Sequence, residues 1–243
     1  MKDSIFEIVK NEKIAKNTYE MTLRGDTSEI QAAGQFVNLK LSGFYLRRPI
    51  SVCDLVGDKL TIIYKVVGDG TEKMAEMCRG EEVLLLTGLG NGYDLSTSGD
   101  APLLIGGGAG APPMYLLARR LVAMGKKPTV ILGFGSREEV FYEEKFRELG
   151  ARVIITTADG SYGVRGFVTD AMKEIDYTYF YTCGPEPMLR AVYDRSVTSG
   201  QFSFEERMGC GFGACMGCSC KTKYGNKRIC REGPVLVKEE IIW

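Results

Sequence analysis

The chain contains no histidine among its 243 residues. Imidazole metal ligands, histidine general bases and Ser-His-Asp or Cys-His catalysis are therefore excluded. It has no excess charge of either sign: Lys+Arg and Asp+Glu number 31 each. It also lacks the basic stripe a nucleic-acid binder shows. No apolar run approaches the roughly 18 residues of a membrane helix. The opening MKDSIFEIVKNEK alternates polar and apolar residues instead of presenting the apolar stretch of a signal peptide. These absences predict a soluble, cytoplasmic protein that binds neither nucleic acid nor membrane. Any chemistry must run on thiolates, carboxylates, backbone groups or a bound cofactor.

The apolar fraction, 44%, is enough for a real core, and the length suits one to two domains. We expect an α+β multidomain chain. Residues 1–98 hold short alternating runs (Ile5–Val9, Asn17–Leu23, Gln35–Leu41, Arg48–Asp54, Leu60–Val67 and Glu82–Leu86) separated by Gly- and Asp-containing turns, with one helix at about 71–78. This spacing predicts an N-terminal antiparallel β-barrel or sandwich. Residues 99–205 alternate strands (102–105, 129–133, 152–157, 177–182) with helices (112–124, 138–149, 166–173, 186–198). That order predicts an α/β domain with a parallel sheet. Residues 206–243 form a short Cys- and Gly-rich segment, too small for much apolar core, so a metal centre would staple it.

Five of the eight cysteines fall between positions 210 and 230. In a reducing compartment such crowding points to metal ligation rather than disulfides. The pattern Cys210-x4-Cys215-x2-Cys218, followed after eleven residues by Cys230, has the plant-type ferredoxin spacing of a [2Fe–2S] cluster. Gly209, Gly211, Gly213 and Gly217 let such a loop pass close to the inorganic sulfides. Phe212 and Met216 are placed to screen the centre, and 220–228 reads as a hairpin turning at 224–226 that returns Cys230 to the loop. A four-cysteine zinc site and a set of unrelated thiols are the alternatives, although zinc favours two Cys-x2-Cys pairs and only one occurs. Cys220 is a fifth thiol and reads as a neighbour of the ligands, although the spacing also allows it to take the place of Cys218.

Gly106, Gly107, Gly108 and Gly110 follow an apolar strand and open a helix with Pro112 and Pro113 in its first turn. Such a turn seats a dinucleotide pyrophosphate on backbone N–H groups. By itself it is also a tight strand-to-helix turn. Cys183, Gly184 and Pro185 end another strand before a helix, so both loops are candidates for one crevice at the strand ends; Cys183 also reads as a plain buried thiol. Arg48-Pro49-Ile50-Ser51 lies on an expected strand, where arginine's donor fork suits a pyrophosphate. Gly70 and Thr71 precede a helix and offer a second anion seat. For Arg48 alone, an exposed strand arginine is the plainer reading. After a strand, Gly135-Ser136-Arg137 would suit a 2′-phosphate and Glu138-Glu139 would repel one.

Taken in order, these segments resemble the ferredoxin–NAD(P) reductase superfamily, and within it the electron-transfer subunits of class 1B dihydroorotate dehydrogenases. The likeness spans the whole chain and is most specific from Glu205-Glu206-Arg207-Met208-Gly209-Cys210-Gly211 through Cys230 and Gly233-Pro234. It implies one FAD, held by Arg48, Pro49, Ile50, Ser51, Ile63, Tyr64, Lys65, Gly70 and Thr71. It implies one [2Fe–2S] cluster on Cys210, Cys215, Cys218 and Cys230, and NAD as co-substrate at the Gly106–Gly110 and Cys183–Pro185 loops. No protein side chain is implied as an acid, base or nucleophile, because the cofactors carry the hydride and electron chemistry. The partner implied is an FMN-containing dihydroorotate dehydrogenase catalytic subunit, two of each chain per assembly, serving pyrimidine biosynthesis. Where many superfamily members have an aromatic, this chain has Ile50, and the flavin-covering role of a terminal aromatic is not carried onto Trp243. A subunit of an NADH-dependent ferredoxin:NADP oxidoreductase or sulfide dehydrogenase is the rival enzyme; such relatives often have aspartate where Cys210 stands. A zinc-stabilised nucleotide-binding module without turnover is the rival from another class.

Overall fold

Antiparallel pairing closes the first six strands into a barrel. They are β1 (Lys2–Ala15), β2 (Thr18–Arg24), β3 (Phe36–Lys40), β4 (Arg48–Val56), β5 (Lys59–Lys65) and β6 (Glu82–Leu89). The computed structural model describes residues 1–243 and orders them β1-β2-β5-β4-β3-β6, every neighbour antiparallel. Closure leaves no free sheet edge. Between β5 and β6 runs helix α1 (Asp69–Glu76).

The second unit alternates strand and helix: β7 (Pro102–Gly107), α2 (Ala111–Ala123), β8 (Thr129–Phe134), α3 (Glu143–Glu148), β9 (Arg152–Thr157), β10 (Val164–Arg165), α4 (Val168–Ala171), β11 (Tyr179–Cys183), α5 (Glu186–Arg195) and β12 (Gly200–Ser203). The C-terminal segment adds a hairpin, β13 (Ser219–Thr222) with β14 (Gly225–Arg228), and then β15 (Val235–Val237). The larger sheet runs β10-β9-β8-β7-β11-β12-β15, parallel except for β15, which pairs antiparallel with β12. The chain thus returns from the hairpin to the edge of the nucleotide sheet. β7, buried along its whole length, is where the strand order reverses, and such a switch point opens a crevice above the strand ends.

Three local expectations change. The helix expected over 138–149 is a single 3₁₀ turn (Arg137–Glu139) and then α3, with Tyr142 between them in the left-handed region at φ 66°. Phe141 there is drawn into the core against Phe134, ring centroids 5.3 Å apart, so packing overrides helix propensity. The helix expected to reach 198 stops at Arg195, and Lys238 Nζ donates to the freed carbonyls of Ser196 and Thr198 at 2.8 and 3.3 Å. The hairpin turns one residue earlier than expected, β14 starting at Gly225.

One apolar core runs from the barrel interior across to α2, so the two units share it. A second lies on the other face of the nucleotide sheet and takes in Phe36 and Leu86 of the barrel with Cys218, Ile229 and Cys230 of the C-terminal segment. No helix is long and apolar enough to cross a membrane.

Candidate flavin, nucleotide and cluster sites

On the barrel, Arg48 to Ser51 are all half-buried, whereas the continuation Val52-Cys53 is sealed. A strand left partly open in this way offers a cradle along its outer side. The Arg48 guanidinium lies over the Phe44 ring at 4.8 Å and donates through Nη1 to the Leu46 carbonyl at 2.7 Å. It also rests on the Cα of Gly70: a Cβ there would fall 2.0 Å from Arg48 Nε. The arginine therefore meets the N-terminal turn of α1. The Thr71 hydroxyl ties that turn, accepting from the N–H groups of Val67 and Gly68 at 2.9 and 3.2 Å and donating to the Gly68 carbonyl at 2.8 Å. A guanidinium and a helix N-terminus that converge form an anion seat. Ile63, Tyr64 and Lys65 on β5 face Gly108 and Ala109 across a narrow gap, so the barrel strand and the glycine loop meet.

Above the switch point lies a cleft of 630 Å³. Gly107, Gly108, Gly110, Gly184 and Pro185 line it. Gly106 and Cys183 instead sit in the paired strand ends behind its wall. A Cβ on Gly110 would fall 2.2 Å from the Cys183 carbonyl oxygen, which is how the two loops close on one another. Burial pushes the Cys183 thiol up to about 12, with Glu205 adding to the effect. The Thr156 hydroxyl, fully buried in the cleft wall, has no hydrogen-bond partner. An unpaired polar atom in a glycine-lined cleft fits a polar ligand such as a dinucleotide. Two wall residues are carboxylates: Glu205 carries no role in the sequence reading, and Glu139 carries only that of repelling a 2′-phosphate. Glu139 accepts from Lys65 Nζ at 3.2 Å and from the Gly135 N–H at 3.3 Å. Glu205, though solvent-exposed as a residue, has its carboxyl crowded by protein, which raises its pKa. Arg137 lies over the Tyr162 ring at 5.4 Å, and Glu138 pairs with Lys16 at 2.8 Å.

The thiols fall into two pairs. Sγ of Cys218 and Sγ of Cys230 are 3.2 Å apart and buried. Cys210 Sγ accepts from the N–H groups of Ala214 and Cys215 at 3.2 and 3.4 Å. Gly217 N–H donates to Cys215 Sγ at 3.5 Å, and Cys230 N–H to Cys218 Sγ at 3.4 Å. Burial raises the Cys210 thiol, but the backbone donors of Cys215, Phe212 and Ala214 outweigh it and hold its pKa at about 6. Two thiol pairs served by backbone donors fit a binuclear centre, which takes two thiolates on each iron. Cys220 stands in β13 opposite Lys227, outside both pairs. Phe212 and Met216, expected to screen the loop, are 40% and 55% exposed. Trp243 lies away from the barrel, packed on Tyr193, Phe202 and Phe204.

Sequence reasoning also passed over Asn38 on β3. It is 1% exposed, and its Nδ2 presses on Gly211, beside Cys210. The signal was there: a lone polar residue inside the apolar run Phe36-Val37-Asn38-Leu39.

A family model described as the iron-sulfur cluster binding domain of dihydroorotate dehydrogenase B matches residues 205–242, and one for the oxidoreductase NAD-binding domain matches residues 104–194. The chain is 44% identical to the dihydroorotate dehydrogenase B (NAD(+)) electron transfer subunit of Bacillus pumilus, covering 99% of this chain and 98% of that one. It is 41% identical to the Fusobacterium nucleatum subunit of the same name, covering 96% of each. Among solved structures, an NADH-dependent reduced ferredoxin-NADP oxidoreductase superposes with a TM-score of 0.87 at 28% identity, covering 98% of this chain and 90% of that one. A ferredoxin NADP+ reductase from Neisseria gonorrhoeae shares the fold, with a TM-score of 0.70 at 17% identity over 80% of this chain and 90% of that one. With more than two-fifths of its residues shared over essentially full length, the chain belongs to the family of dihydroorotate dehydrogenase B electron transfer subunits.

Proposed function

We propose that this chain is the electron-transfer subunit of an NAD-dependent dihydroorotate dehydrogenase, taking electrons from a catalytic partner and delivering them to NAD⁺ in pyrimidine biosynthesis. The observation that carries this reading is the full-length identity to subunits of that name, joined to an anion seat, a nucleotide cleft and a paired-thiol loop in one chain. We further propose that the partner carries FMN and that two copies of each chain assemble.

FAD, when bound, would link transfer of one hydride (two electrons) at the nicotinamide to two single-electron steps at a [2Fe–2S] cluster. The chain's part is to hold and orient. Arg48 and the first turn of α1, at Gly70 and Thr71, hold the FAD pyrophosphate. Pro49, Ile50 and Ser51, with Ile63, Tyr64 and Lys65, wall the ring and ribityl chain. The bare backbone at Gly107, Gly108 and Gly110 admits a dinucleotide close to α2, whose N-terminal dipole favours its phosphates. Gly106 and Cys183 support that wall from behind, while Gly184 and Pro185 bound the nicotinamide end. Cys210, Cys215, Cys218 and Cys230 would hold the cluster, the first two on one iron and the last two on the other. The exposed Phe212 and Met216 beside these thiols suit the docking of a catalytic subunit.

The likeness to the NADH-dependent reduced ferredoxin-NADP oxidoreductase keeps a second reading in view, an electron-transfer subunit serving a different partner. The experiment that separates them is co-expression with a candidate FMN-type dihydroorotate dehydrogenase subunit. Dihydroorotate-dependent NAD⁺ reduction by the purified complex is the expected result. Co-purification without that activity favours the second reading, and a colourless chain that contains zinc and no flavin would sink both.

A further inference from the structure

One buried polar side chain lies between the R-P-I-S strand and the cysteine loop. Asn38 sits in mid-β3, directly across from Pro49 on one side and Leu86 on the other. Its neighbours Val37 and Leu39 point into the barrel core. Asn38 points the other way, to the outer face that Phe36 and Leu86 share with Cys218, Ile229 and Cys230. β3 slips register against β6 between Phe36 and Asn38, and a bulge of that kind re-aims a side chain. The amide is aimed at the cysteine loop: its Nδ2 lies 2.3 Å from where a Cβ on Gly211 would stand. Its Oδ1 is fully buried and has no partner. Asparagine is a poor strand residue, and a buried amide oxygen without a hydrogen-bond partner is destabilising. Packing alone would be served better by leucine.

We propose that Asn38 is a positioning residue for the [2Fe–2S] cluster: its carboxamide seats the Cys210–Cys215 loop on the flavin strand, and its buried dipole raises the reduction potential of the centre. The proposal rests on the reading of the four cysteines as ligands. An N–H dipole in a water-poor site stabilises the more negative, reduced state of an anionic cluster. A carboxylate in its place does the reverse.

The test uses the full chain, purified anaerobically with its flavin and cluster. Wild type is compared with Asn38→Leu, which keeps the shape without polar atoms, and Asn38→Asp. Iron, sulfide and FAD content are measured, and the cluster midpoint potential is read from an EPR-monitored redox titration. We expect equal FAD content and a midpoint potential that falls from wild type to Asn38→Leu to Asn38→Asp. Loaded variants with the wild-type potential and spectrum overturn the proposal. Loss of the centre with FAD retained supports the seating role, because the barrel is then intact. Loss of FAD along with the centre overturns it, since Asn38 is then only holding the barrel together. A wild-type chain without iron and sulfide would sink the four-cysteine reading instead, whatever the variants do.

Discussion

Two residues show how much depends on single atoms. Gly70 is forced to be glycine by the arginine, with 2.0 Å between Arg48 Nε and the position of a Cβ. Gly70→Ala should push the guanidinium out of the anion seat and weaken FAD binding at least about tenfold, the equivalent of about 1.4 kcal/mol, as measured by fluorescence titration of the apoprotein. Glu20 is the buried anion of the joint between the two units. It accepts from the Tyr142 hydroxyl at 2.6 Å and from Lys145 and Lys10 at 2.8 and 3.3 Å. Burial raises its pKa, but the bonds from Lys145 and Tyr142 outweigh that and hold it below its ordinary value of 4.5. A depressed carboxyl adds stability above its unfolded pKa and loses it as pH falls through the folded one. Glu20→Gln should therefore cost about 1–3 kcal/mol near neutral pH, and the gap from wild type should narrow below about pH 4.5 in urea melts run across pH.

Among the elements, the segment from Arg137 to Lys145 shows where local pattern fails. Its charges suggest one long helix, yet the chain kinks at Tyr142 so that Phe141 and Tyr142 reach the barrel while Glu138 and Glu139 pair with Lys16 and Lys65. No window of sequence contains the barrel strands that reward the kink. The cysteine loop behaves oppositely, since its spacing and glycines are local. Serine in place of Cys210, Cys215, Cys218 or Cys230 should abolish the visible and EPR signals of the centre, whereas Cys220→Ser should keep them, because Cys220 lies outside both thiol pairs. Iron and sulfide analysis of the five variants checks this.

Across the whole molecule, the barrel and nucleotide sheet share one core, while the C-terminal segment is held by a smaller one and by β15. Removing the cluster with oxidant and chelator should free residues 206–233, which bury little apolar surface of their own. Trypsin should then cut at Arg207, Lys221 or Lys223 at least about tenfold faster, since proteolysis tracks the population of the opened state. The barrel should stay intact and keep its FAD, as mass spectrometry of the fragments and flavin absorbance would record.

The order of barrel, nucleotide sheet and cysteine loop was legible in the amino-acid sequence because each leaves a periodic or spaced pattern: alternation in β1–β6, strand-helix alternation after Pro102, and the positions of four thiols. The resemblance those patterns carried was enough to name the family. What stayed hidden depends on residues far apart in the chain. The return of Val235–Val237 to the sheet, the contact of Arg48 with Gly70 and the burial of Asn38 against Gly211 all arise only when the chain closes on itself. A hydrogen bond or a steric limit between distant segments leaves no period in the sequence, so the tertiary structure alone decided them.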